Sequence, residues 1–151
     1  MTMQWVVVAD KSRARIFQTE GQIDELVEID DLFNPEGRQD DADLRQDAKG
    51  RFYGKGERDQ AHTAEPDVTQ EEHAADRFSR ELMAYLEHAN HEQRFGSLVM
   101  IAPPEFLGLL RRHLSTSVER KVRQQLATDI AGLQEPQLRK YLQQHLPRYL
   151  H

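Results

Sequence analysis

The chain has no cysteine among its 151 residues. That absence excludes a disulfide framework, a thiol nucleophile and a thiolate zinc site, and it fits a reducing cytoplasm. Long apolar runs are also missing. The longest, Trp5 to Ala9 and Leu98 to Ala102, fall well short of the roughly 20 residues a bilayer span requires, so no membrane insertion is expected. The N-terminus enters Trp5, Val6, Val7 and Val8 with no basic segment before it, so no secretory leader is expected and the chain is placed in the cytoplasm. Positive charge is in deficit: 20 Lys and Arg stand against 26 Asp and Glu, a net charge of −6. This opposes wholesale binding to nucleic acid but leaves room for a local basic patch. No Gly-x-x-x-x-Gly-Lys-Ser/Thr phosphate loop occurs, and Gly54-Lys55-Gly56 is too short to act as one.

What is present begins with strands. Gln4 to Ala9 holds four consecutive large apolar residues, three of them β-branched, and ends at the turn formers Asp10 and Ser12, which predicts a buried central strand. Arg13 to Ile16 alternates polar and apolar; with Phe17 it predicts a second strand, paired antiparallel across the short Asp10-Lys11-Ser12 connection. Leu26, Val27 and Ile29, reached through a turn at Gly21, supply a third. A three-stranded meander therefore opens a single domain spanning residues 1–151.

From Asn34 to Pro66 the only large apolar side chains are Leu44, Phe52 and Tyr53, and the stretch carries Gly37, Gly50, Gly54 and Gly56. Burial there cannot offset the entropy of ordering the backbone, which predicts a long, mobile, polar loop.

After the loop, Thr69 stands three residues before Glu72, the capping-box spacing at a helix start. Ala75, Phe78, Leu82, Tyr85, Leu86 and Ala89 recur at helical spacing, so the helix is expected to run to about Gln93. Leu98 to Ile101 is a second continuous apolar run, expected to be covered on both faces. Pro103 and Pro104 close it, and Phe106, Leu107, Leu110 and Leu114 mark the face of the next helix. From Val118 to Ile130 the apolar spacing of four reads as a helix stripe, while Val122, Gln124 and Leu126 also fit one face of a strand. Pro136 starts a last helix with Leu138, Tyr141, Leu142 and His145 inward, stopped by Pro147. Strands alternating with helices predict an α/β fold.

The segments VVVADKSRARIF, NPEGR, LRQDAKGRF, RFSRELMAYL and LVMIAPPEFLGLLRRHL together resemble the bacterial host attachment protein family, described as required for attachment to host cells. The likeness covers nearly the whole chain. The family is similar in fold to the middle domain of archaeal and eukaryotic peptide-chain release factors. The resemblance thus implies a ribonuclease-H-like mixed sheet with flanking helices, and it implies a strand near Arg120 to Leu126 leading into the turn Thr128-Asp129-Ile130. The family tends to place a lysine before this aspartate; Thr128 stands there instead.

Asp10 ends the first strand, where a ribonuclease-H-like nuclease holds one of its carboxylates, but Ala102-Pro103-Pro104 ends the other apolar strand without a second. Asp10 equally suits a turn bonding nearby backbone N–H groups. No Gly-Gly-Gln occurs, so the hydrolytic route of release factors is excluded. His88 and His91 share a helix face but no third or fourth metal ligand is indicated, and Ser115 and Ser117 near His113 suit capping better than nucleophilic catalysis. No metal and no cofactor are expected.

Binding is the remaining role. Candidate partner- or phosphate-binding residues are Asp10, Arg13 and Arg15 in the opening hairpin, and Arg38, Asp47, Gly50 and Arg51, which match the family's NPxxR and DxxGR pieces in the loop. Arg111, Arg112, Arg120, Lys121 and Arg123 form a third group, a local basic cluster. These residues and the resemblance imply a non-enzymatic binding or adaptor module with an unknown protein partner. Two alternatives stand beside it: a ribosome- or RNA-associated, release-factor-like protein without hydrolytic activity, and a metal-dependent hydrolase at Asp10.

Overall fold

The computed structural model of the chain describes residues 3–36 and 69–148. Most of the loop expected between 34 and 66, with Arg38, Asp47, Gly50 and Arg51, lies outside the described residues.

Five strands form one mixed sheet: β1 (Gln4–Ala9), β2 (Arg13–Thr19), β3 (Val27–Phe33), β4 (Ser97–Ala102) and β5 (Val122–Ala127), in the order β3-β2-β1-β4-β5. The antiparallel meander is as expected, with Gln4 opposite Thr19 and Ala9 opposite Ala14. The two apolar runs pair in parallel, from Gln4 with Ser97 to Val8 with Ile101. Both are buried at every position because helices cover both faces. On one face Trp5, Val7, Leu98 and Met100 pack under α1 (Gln70–His91) and α2 (Pro104–Arg112), through Phe78, Leu82, Leu86, Phe106 and Leu110. On the other, Val6, Val8, Val99 and Ile101 pack under α4 (Glu135–His145), through Leu138 and Leu142. A one-turn helix α3 (Thr116–Glu119) precedes β5. This arrangement is the expected α/β class, with a strand where the resemblance placed it.

Four details differ from expectation. Leu26 is not in a strand: it follows a 3-10 turn (Ile23–Glu25) and is buried beneath the sheet, while β3 continues to Phe33. The spacing of four from Val118 to Ile130 is not one helix but crosses α3, β5 and the following turn, with Val118 and Ile130 buried and Val122 and Leu126 half-buried. Helix α1 stops at His91, short of Gln93, because Gln93 takes a left-handed conformation (φ 59°). His145 is exposed, stacked on Tyr141 with ring centroids 3.9 Å apart, and Leu146 turns inward in its place.

Candidate functional site

The hairpin turn between β1 and β2 is closed by Asp10, whose Oδ1 accepts from the N–H groups of Ser12 (2.8 Å) and Arg13 (2.9 Å). An aspartate favours this position because its short carboxylate reaches the backbone two and three residues on. Arg13 then pairs with Asp31 across β3, with Nη2 2.6 Å from Oδ2, and its guanidinium lies over the Phe33 ring at 5.0 Å. Arg15 is almost fully buried. It donates to both oxygens of Glu28 on β3 and to the carbonyls of Ala131 (3.3 Å) and Leu133 (2.7 Å) after β5. A guanidinium can be buried at this cost only when its donors are met. The two arginines thus act as ties within the fold, and the geometry leaves Arg15 no face for a partner.

At the other end of the strand order, α1 is bound to α2 and α3 by polar contacts. His113, the C-cap of α2, places Nε2 2.9 Å from Asp76 Oδ1. That hydrogen bond, helped by the charge of Arg80 against the cost of burial, holds the Asp76 carboxyl below its ordinary value. Ser115 caps α3 by accepting from the Val118 N–H (3.2 Å) and donates to Glu87 on α1 (2.5 Å), while Ser117 reaches the same carboxylate at 3.3 Å. The serines and the histidine therefore engage different carboxylates. They do not form a nucleophile, base and orienting acid in series.

The basic cluster divides. Arg111 Nε donates to Gln125 on β5 (2.6 Å). Lys121 Nζ donates to the Phe95 carbonyl (3.1 Å) and lies over that ring at 5.4 Å. Arg112 and Arg123 are exposed. Arg120, the C-cap of α3, is exposed; its backbone N–H closes the α3 turn, while its side chain makes no hydrogen bond or ion pair among the described residues.

Arg120 and Lys121 line one wall of an open groove of about 500 Å³; the C-terminal turn of α1 and Ser117 line the rest. That turn ends in a Schellman motif: the Arg94 N–H returns to the Ala89 carbonyl and the Gln93 N–H to that of Asn90, both at 2.9 Å. Glycine is the usual residue at the left-handed position, and glutamine there costs about 1 kcal/mol. Asn90 and Gln93 both line the groove, and Asn90 Oδ1, withdrawn from solvent, has no hydrogen-bond partner among the described residues. His88 pairs with Glu92 (3.2 Å) while His91 faces the groove, so the two histidines serve different contacts. Among the described residues no three His, Asp or Glu side chains are grouped to hold a metal.

The sequence pointed to Arg120 and Lys121 but not to Glu87, Asn90 or Gln93. The spacing of Glu87, Asn90 and His91 sets them on one side of a helix, a signal that means little until Arg120 is known to face it.

A family model described as "Protein required for attachment to host cells" matches residues 5–142. No curated protein matches the chain. Among solved structures, the crystal structure of the archaeal translation termination factor aRF1 is similar, with a TM-score of 0.51 at 10% sequence identity. The match covers 97% of this chain and 35% of that one, so this chain corresponds to about a third of that factor, and the likeness is one of fold.

Proposed function

Because the chain belongs to the family of proteins required for attachment to host cells, we propose that it serves attachment as a non-enzymatic module that binds a protein partner, acting from the cytoplasm. One observation carries this reading. Among the described residues, Asp10, His113, Ser115 and Ser117 are hydrogen-bonded within the fold: Asp10 in its turn, His113 to Asp76, and Ser115 and Ser117 to Glu87. These contacts do not link a nucleophile to a base and that base to an orienting group, the series on which nucleophilic catalysis relies. None of the described helices is long and apolar enough to cross a membrane, and the lack of cysteine suits a reducing compartment.

The test is a deletion strain assayed for attachment to host cells, complemented with the native chain and with Asp10→Asn. Both should restore attachment, and a tagged chain should recover a protein partner. Failure of Asp10→Asn while its fold persists, together with Mg²⁺- or Mn²⁺-dependent RNA cleavage by the native chain, would replace the binding reading with a hydrolase. Recovery of ribosomes and RNA in place of a protein partner would replace it with the release-factor-like alternative.

A further inference from the structure

We propose that the groove between the C-terminal turn of α1 and the α3–β5 junction is a binding site for a small sugar phosphate, a role independent of the protein-binding function above. Two unfavourable features meet there. Gln93 holds a backbone conformation that glycine would adopt without strain, and its side chain lines the groove. Asn90, on the same wall, has a buried carbonyl oxygen with no donor. Strained backbone and unpaired buried polar groups persist where the surrounding structure has a use for the side chain. A donor inside the groove would let the half-buried Asn90 amide turn and meet its need.

The lining states the ligand's chemistry. Arg120, whose side chain has no partner among the described residues, stands beside Lys121, whose ammonium spends one of its donors on the Phe95 carbonyl. A guanidinium next to an ammonium matches the near-double charge of a phosphate monoester better than a single carboxylate. The same lining holds oxygen acceptors in Asn90 and in Glu87, whose carboxylate also accepts from Ser115 and Ser117. Glu87 repels a bare anion and rewards hydroxyl donors carried on the same molecule. A lining that carries both cations and oxygen acceptors suits a molecule with both an anionic group and hydroxyls, a sugar phosphate. The groove, about 500 Å³, is within the range of small-molecule sites.

The probe is ribose 5-phosphate, titrated into the full chain and followed by amide chemical shifts and calorimetry, with inorganic phosphate and a short single-stranded RNA as comparison arms. Ribose 5-phosphate should shift the amides of residues 87–93 and 117–121 and bind more tightly than inorganic phosphate. Arg120→Gln should weaken it about tenfold, the loss expected for one charge-assisted hydrogen bond. Gln93→Gly should raise thermal stability and weaken ribose 5-phosphate together, whereas a purely structural glutamine would change stability alone. If RNA competes with ribose 5-phosphate in an Arg120-dependent way, the sugar phosphate is met as part of a chain; if it does not, the free small molecule is the ligand. No shift in the groove, binding unchanged by Arg120→Gln, or equal affinity for inorganic phosphate would each overturn the proposal. Attachment assays bear on the protein-binding reading alone, so the two can fail separately.

Discussion

His113 Nε2 lies 2.9 Å from Asp76 Oδ1, so the end of α2 is fastened to the first turns of α1. Since the folded carboxyl titrates below its ordinary value of 3.8, its stabilising effect is full above that value and is lost as pH falls through the folded pKa. Asp76→Asn should therefore lower the melting temperature at neutral pH, with the difference from the native chain shrinking in acid. Thermal melts across an acid pH series measure this; a pH-independent difference would refute it.

Arg15 supports a second prediction. Arg15→Met removes donors from two carbonyls and from Glu28 in a buried setting, which should cost about 2 kcal/mol. Urea unfolding should show it as a shift in midpoint. Arg13→Met, at a more exposed pair, should lose about 1 kcal/mol or less.

Tyr85 donates to Asp30 Oδ2 at 2.7 Å, and burial, reinforced by that carboxylate, pushes its phenol up to about 12. The folded value is raised, so the neutral form is favoured by folding, and that stabilisation fades as pH rises from the ordinary value of 10.0 through the folded one. In a spectrophotometric titration one tyrosine should ionise late, and Tyr85→Phe should abolish that late phase. A late phase that survives the substitution would assign it elsewhere.

Asp10→Ala should destabilise the hairpin by about 1 kcal/mol, since two backbone N–H groups lose their acceptor. Amide exchange at Ser12 and Arg13 should accelerate while β4 stays protected. Equal acceleration throughout the sheet would mean that Asp10 matters globally rather than to its turn.

The sequence revealed most clearly those elements whose signals were local. Two unbroken apolar runs became the central parallel pair because covering helices allowed no polar face, and the Thr69-to-Glu72 spacing became a complete capping box. The full length of β3 is hidden in the sequence because Asp30 and Asp31 look foreign to a strand. They are tolerated because β3 is an edge, and Tyr85 and Arg13 reach across to meet them. The α3–β5 segment hid its change of element behind an accidental spacing of four. Of the groove, its cations, His91 and Ser117 stood out, whereas Gln93 and Asn90 are ordinary letters whose cost appears once φ and hydrogen bonds are known.

The parallel pairing of β1 with β4 also bears on synthesis. Gln4 waits for Ser97, so as the chain emerges from the ribosome the β1–β2–β3 meander can form early but keeps one flank of β1 open until far more of the chain has appeared. Such a flank, formed by Trp5, Val6, Val7 and Val8, offers unpaired backbone to any neighbouring nascent chain. Slow translation or truncation before Ser97 should therefore yield aggregates, and production of the protein should depend on chaperones that shield this one strand.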